Sequence, residues 1–352
     1  MKHVGLSVAA SLLFFGLAGC ATGPLQFPLP DAEIYTGPDQ EPIKLSQAQR
    51  QQLWQVLDEL FGTPDSPKLP EPCTGIPGVK PERLQAAARD YRRLCMHCHG
   101  LAGDGNGPTA PFLNPRPRDY RAGVFKFTST GTGMPPTWED IRYTLVRGAP
   151  GTAMPSFRAY SEETINGLVD YVIYLSLRGQ VERDLALILV EYEELADADV
   201  QSSVRRFAMQ WQQAPETIIV PETEKPPFTM ESVRRGRELF VSSEKGNCAA
   251  CHGESGRGDG PSAEVDPNTG QPMRDYWGFR TRPTDLTTGL LRGGRRPIDI
   301  YRRIHTGVKG TPMPGQSANL SPEEIWDVVH FVQYLPYAGA RARAESTRRA
   351  SD

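Results

Sequence analysis

Cysteine and histidine are both scarce in this chain, six of each in 352 residues. At that frequency, two cysteine pairs with the same spacing and the same following residue are no accident of composition. Neither sign of charge dominates, with 39 basic residues against 42 acidic, so nothing global points to nucleic acid. Long apolar runs are missing too. The stretch from Val4 to Phe15 is too short to cross a bilayer, and no later segment reaches the roughly 18 apolar residues that crossing needs. Hydrophobic residues make up only 38%, beside 34 glycines and 32 prolines. That balance predicts many short helices joined by long loops, with a cofactor making up for a small apolar core.

What is present starts with the leader. Met1 and Lys2 precede the apolar stretch, and Leu17, Ala18, Gly19 and Cys20 follow it. This resembles a bacterial lipoprotein signal, which implies that Cys20 is acylated and becomes the first residue of the mature chain. An ordinary cleaved secretory signal is the alternative, and both place the chain outside the cytoplasm. Residues Gly23 to Pro42 read as a Pro-rich tether, so attachment to a membrane is expected through lipid alone. Of the other cysteines, Cys95, Cys98, Cys248 and Cys251 form the two pairs, and Cys73 is left over as a packed free thiol, an intermolecular partner or a ligand.

Internal repetition is the strongest organisational signal. "CHGLAGDGNGP" from Cys98 returns as "CHGESGRGDGP" from Cys251, "DIRYTLVRGAPGTAMP" at 140 to 155 aligns without a gap with "DIYRRIHTGVKGTPMP" at 299 to 314, and "YSEETINGLVDYVIYLS" at 160 to 176 parallels "LSPEEIWDVVHFVQYLP" at 320 to 336. Each copy opens with a helix before its cysteine pair and closes with another. Ser161 and Glu163, or Ser321 and Pro322, mark the closing starts, and Ile165, Leu168, Val169, Val172 and Ile173 recur at helical spacing. Small residues beside aromatics, Ala87 with Tyr91 and Gly236 with Phe240, predict that opening and closing helices cross closely.

These patterns predict a mainly α chain. Its parts are a leader over 1–20, a tether and N-terminal helical extension over 21–79, one module over 80–180, a connector over 181–228, a second module over 229–338 and a flexible tail over 339–352. With 4 basic and 10 acidic residues, the connector reads as solvated, helical in part and Pro-punctuated in part.

Three chemistries use C-x-x-C. A structural zinc site needs four ligands, usually from two pairs about 15 to 20 residues apart, whereas these pairs lie in separate modules. A thioredoxin-like redox pair follows a strand, but here a helix precedes and a Gly-rich loop follows. Covalent haem attachment remains, and it explains the adjacent histidine. Two cysteines at this spacing reach two vinyl groups of a porphyrin, which carries His99 and His252 beneath the ring as iron ligands. The second ring nitrogen of each histidine then needs an acceptor, expected from the Gly-rich turn ending at Pro108 or Pro261.

On the two C-x-x-C-H-G motifs, the paired "GTAMP" and "GTPMP" segments and the flanking helices, each module resembles a class I cytochrome c, and the whole resembles a bacterial di-haem cytochrome c lipoprotein. The resemblance implies two covalent haem c groups, bound through Cys95, Cys98, Cys248 and Cys251, with Met154 and Met313 as sixth ligands opposite His99 and His252. Met134, Met96 and Met273 have no repeat partner in that role, and His305 and His330 align with Val146 and Asp170. Arg116, Arg118 and Arg282 are expected near haem propionates. Arg292, Arg295, Arg296, Arg302 and Arg303 are either a partner-steering cluster or solvent-facing charges. The implied function is one-electron transfer on the periplasmic side of a bacterial membrane, between redox proteins such as a respiratory complex, a dehydrogenase or a terminal oxidase. A di-haem peroxidase-type enzyme and a fixed cytochrome subunit of a respiratory complex are the alternatives.

Overall fold

A computed structural model describes residues 25–34, 41–267 and 269–351. The leader and Cys20 lie outside the described residues. The sheet among them is a single antiparallel pair, β1 (Glu33–Ile34) with β2 (Ile43–Lys44), and the rest of the architecture is helical. No described helix is long and apolar enough to cross a membrane.

Helix α1 (Gln47–Phe61) starts where Ser46 and Gln49 cap each other reciprocally and buries Leu53, Leu57 and Phe61. Helix α2 (Leu84–Leu94) leads into the single-turn helix α3 (Met96–His99), and α4 (Trp138–Arg147) begins at a capping box between Thr137 and Asp140. Helix α5 (Glu162–Tyr192) is the spine of the first module. There α2 crosses it, with the Tyr91 and Tyr171 rings 5.0 Å apart and the Tyr91 hydroxyl donating to the Gly100 carbonyl. Helix α6 (Asp197–Gln213) folds back onto α5.

The second module repeats the plan with α7 (Met230–Val241), α8 (Ala249–His252), α9 (Pro297–Thr306) and α10 (Pro322–Ser351). Helices α7 and α10 cross with the Phe240 and Phe331 rings 5.1 Å apart. Its apolar core is the smaller of the two, as the sparse hydrophobic composition requires.

Two boundaries differ from those the sequence suggests. The stretch 181–228 is no separate connector over its first two thirds, up to the end of α6. Helix α5 runs on unbroken to Tyr192, and Val181, Leu185, Ala186 and Leu189, followed by Val200, Val204, Ala208 and Trp211 of α6, are buried in the first module's core. The Trp211 indole N–H also donates to Gln180 Oε1 at 2.8 Å. Acidic residues dominate the composition because they sit at the exposed α5–α6 turn, where Glu191, Glu193, Glu194 and Asp197 meet water. Second, the expected tail from 339 continues α10 as helix to Ser351. The N-terminal extension is likewise integral: Phe27 is buried beneath the Arg178 guanidinium, 4.3 Å from its ring, and Arg178 pairs with Glu182 at 3.0 Å.

The modules meet along a polar seam. Lys126 pairs with Asp275 at 2.9 Å, the Arg118 guanidinium lies 3.5 Å from the Trp277 ring centre, and the Tyr143 hydroxyl on α4 donates to Asp299 on α9 at 3.0 Å. The crossing chain at Thr217–Ile219 is held here too: Gly131 N–H donates to the Thr217 carbonyl and Ile219 N–H to the Ser129 carbonyl.

Candidate functional site

Both C-x-x-C-H motifs form one turn of helix with the same hydrogen bonds. His99 N–H donates to the Cys95 carbonyl at 2.9 Å, and His252 N–H to the Cys248 carbonyl at 2.8 Å. The loop that follows wraps back over the turn: Gly105 and Gly258 donate to the two histidine carbonyls, and Gly107 and Gly260 to the carbonyls of Cys98 and Cys251. Glycine is required at these last two positions by close approach. A Cβ on Gly107 would stand 2.4 Å from the His97 carbonyl oxygen, and one on Gly260 2.4 Å from that of Ala249.

Each imidazole uses Nδ1 on a backbone carbonyl, His99 on Arg118 at 3.0 Å and His252 on Thr284 at 3.3 Å. The acceptor is therefore not in the Gly-rich turn. It comes from the next segment, one residue beyond Pro117 and Pro283, because the turn is occupied in closing on the helix. That segment is pinned by a repeated bond, from Tyr120 N–H to Gly103 O and from Leu286 N–H to Gly256 O. Burial pushes the His99 imidazolium down to about 4 and lowers that of His252. Both rings are neutral near pH 7, and with Nδ1 engaged, Nε2 is the nitrogen open to a metal.

Met154 and Met313 occupy matching hairpins. Ala149 N–H donates to the Met154 carbonyl at 3.2 Å and Val308 N–H to the Met313 carbonyl at 3.1 Å, while Thr152 and Thr311 hydroxyls accept from the two methionine N–H groups. Met154 packs against the first core, and Met313 lines a cavity of about 400 Å3 with His305 and Lys309. Motif and hairpin are separate local structures in each module; in the first, Cys95 and Met154 pack in one core.

The donor set fits covalently attached haem. Cys95, Cys98, Cys248 and Cys251 are all free thiols, and burial pushes Cys95 up to about 12 and Cys248 up to about 11. It does not fit zinc: among the described residues no three His, Cys, Asp or Glu side chains converge on one point. Nor does it fit a thioredoxin-like pair, since a helix, α2 or α7, rather than a strand leads into each motif.

The remaining candidates fall elsewhere. His330 is buried at the α7–α10 crossing, its Nδ1 2.7 Å from the Ser232 hydroxyl, and His305 stacks on Tyr301. The Met134 carbonyl accepts from Lys309. Arg282 pairs with Glu264 at the surface; Arg116 and Arg118 line a cavity at the seam with Lys126, Arg280 and Arg292. The arginine cluster is largely engaged rather than free to steer a partner: Arg296 pairs with Asp299, Arg302 donates to the Ile219 carbonyl, and Arg303 donates to the Thr128 carbonyl. Cys73 is buried, its thiol pushed up to about 12, which removes it as an intermolecular partner. Sequence reasoning missed the seam residues Lys126, Asp275, Trp277 and Lys309. Of these only Lys309 leaves a trace in the repeat, standing where the first copy has Pro150.

Comparison with known proteins agrees with this geometry. Residues 233–336 match the cytochrome c family, and residues 82–172 match the family described as cytochrome c oxidase, cbb3-type, subunit III. A search of curated proteins finds no match. Among solved structures, a chain of a reducing HAO-like protein complex of Kuenenia stuttgartiensis is 31% identical, with a TM-score of 0.55, over 74% of this chain and 98% of that one. With two family matches at separate positions, each spanning one copy of the repeat, the chain belongs to the cytochromes c, as a protein of two tandem cytochrome c domains, and its chemistry is haem-based electron transfer.

Proposed function

We propose that the chain passes single electrons between redox proteins through two haem c groups, one per domain, on the periplasmic side of a bacterial membrane to which lipid on Cys20 holds it. The observation that carries this reading is the exact duplication of the site: in both domains a motif histidine is fixed through Nδ1 on a backbone carbonyl, and a methionine stands on a hairpin of identical hydrogen bonding.

Bound haem supplies a one-electron iron couple. The residues set its terms. Cys95 with Cys98, and Cys248 with Cys251, hold the group by thioethers, so it is not lost outside the cytoplasm. The Nδ1 bonds orient His99 and His252 and raise their basicity as ligands. Met154 and Met313 offer neutral, soft sulfur that favours the ferrous state and raises the potential. Met154 and Met313 would offer each bound iron a protein ligand in place of a substrate, which supports a carrier over an enzyme of the di-haem peroxidase type.

The second reading, a fixed subunit of a larger assembly, is favoured by the solved relative, which is a chain of a protein complex. Detergent extraction followed by native sizing separates a free carrier from a subunit.

Anaerobic titration of the purified protein with carbon monoxide and with peroxide, read by absorbance, tests the carrier reading. Two spectra unchanged by either reagent are expected. A haem that binds carbon monoxide readily or turns over peroxide in the native protein overturns it.

A further inference from the structure

The seam between the domains is reciprocal. In the ungapped repeat the segment before α4 corresponds to the segment before α9, and the two methionine hairpins correspond to each other. Across the seam each such segment lies on the hairpin region of the other domain. Residues 128–134 receive Arg303 and Lys309 from the second domain, and residues 290–292 receive Arg147 and meet Gly151 from the first. This is the pattern of a two-fold dimer written within one chain.

The two halves of the seam are unequal. On the first side Arg147, ahead of the hairpin, donates to the Leu291 and Arg292 carbonyls, and within the hairpin itself the contact is light: a Cβ on Gly151 would stand 3.7 Å from Leu290 Cδ1. On the second, the Lys309 ammonium donates to Thr130 Oγ1 and to the Met134 carbonyl, each at 2.8 Å. The next residue, Gly310, accepts from the Tyr276 N–H of its own domain at 3.0 Å and meets Val124 of the first domain so closely that a Cβ would stand 3.1 Å from it. The cavity beside Met313 is completed by Thr132 of the first domain. Pro150, at the equivalent place in the first hairpin, has no side-chain donor with which to return such a clamp.

We propose that the first domain positions the methionine hairpin of the second, with Lys309 as the positioning residue, so that the hold of Met313 on iron depends on the docking of the two domains. The inference rests on the reading of Met313 as the sixth ligand. Lys309 is not a ligand; it fixes the start of the five-residue span Lys309–Met313 that ends on the ligand. Within the first hairpin no residue makes such a clamp; its tie to the partner domain is at Arg147, seven residues ahead of Met154, so Met154 depends less on docking.

The test uses the full-length protein with both haems attached. Met313→Ala first marks which haem signal belongs to the second domain by opening it to carbon monoxide. Lys309→Met removes the donors, and Thr130→Val removes an acceptor that belongs to the first domain. Both are expected to weaken the ferric methionine-to-iron absorption of the second haem, lower its potential and raise its apparent affinity for carbon monoxide about tenfold, the scale of one lost hydrogen bond to a charged group. The first haem's signals stay as they were, and Lys309→Arg restores the second. A second haem unchanged in both variants, with Met313→Ala still opening it, overturns the clamp and leaves the ligand reading standing. A Met313→Ala variant that opens neither haem overturns both.

Discussion

Gly236 on α7 faces the carbonyl of Asp327 on α10, so closely that a Cβ would stand 2.0 Å from the oxygen. The first domain solves the same crossing the other way round: Ala87 takes the α2 position, and Gly167, which aligns with Asp327, provides the space on α5. A Cβ on Gly167 would stand 3.2 Å from that of Ala87, a side-chain contact that small shifts relieve. Gly236→Ala is therefore expected to destabilise the second domain by about 2 kcal/mol or more, because backbone rather than side chain must move, and Gly167→Ala to cost about 1 kcal/mol or less. Thermal unfolding of the two variants, with haem content measured on each, checks the order.

The unbroken α5 makes a prediction about the stretch that composition presents as a connector. Leu185 is fully buried, and so is the Trp211 side chain that closes over the helix. Leu185→Ala is expected to lower stability by about 2 to 5 kcal/mol, and Trp211→Ala by about 3 to 5 kcal/mol. A solvated linker would show neither loss in denaturant titration.

How far the sequence reveals this protein depends on range. The repeat is legible because each block is short, local and ungapped, and the helix crossings because a small residue stands one turn from an aromatic. The end of the first domain is harder to see. Leu185, Ala186 and Leu189 do continue the helical spacing of Ile165 and Leu168, but the acidic residues clustered at the next turn dominate the composition of the window. The carbonyls that receive His99 and His252 lie 19 and 32 residues away, and which residue a loop presents at such a distance is not a property of the motif. The seam is more remote still. Lys126 and Asp275 are 149 residues apart, and neither has a counterpart in the other copy to draw attention to it.

That pair should hold the domains together. Its exposure is small, 16% for the Lys126 side chain and 8% for Asp275, and Asp275 Oδ1 also accepts from the N–H groups of Trp277 and Phe279. Asp275→Asn leaves Lys126 and the nearby Arg118 without their neutralising carboxylate. A cost of about 3 kcal/mol is expected, with faster proteolysis in the 220–228 segment and a larger radius in solution scattering. Lys126→Met combined with Asp275→Asn should cost less than Asp275→Asn alone, since one of the two cations facing the lost carboxylate is then gone as well.

Cys73 gives a titration with a definite sign. Burial raises its thiol from about 9 in the open chain to about 12 in the fold. At pH 8 the folded protein should resist alkylation there and react promptly once denatured. Above pH 9 the unfolded chain releases this proton first, so the folded state, still holding it, loses stability as pH rises from about 9 towards 12. Replacing Cys73 by Ala should flatten that part of the stability profile.

The reading of Met154 and Met313 as iron ligands makes the last prediction. A methionine thioether is neutral and soft, whereas imidazole is the stronger donor to ferric iron, so exchanging one for the other favours the oxidised state. Met154→His is expected to lower the potential of the first haem alone, and Met313→His that of the second alone, each with loss of the methionine-to-iron absorption at the same haem. The clamp at Lys309 adds an asymmetry. The second hairpin is tied at Thr130 and Met134 and has less freedom to admit a bulkier ring, so Met313→His should produce a mixture of ligated and open haem where Met154→His gives one species. Spectroelectrochemistry on the two variants reads both effects. If neither substitution altered either spectrum, the two methionines would not be the ligands, and each hairpin would need another reason for its shared geometry.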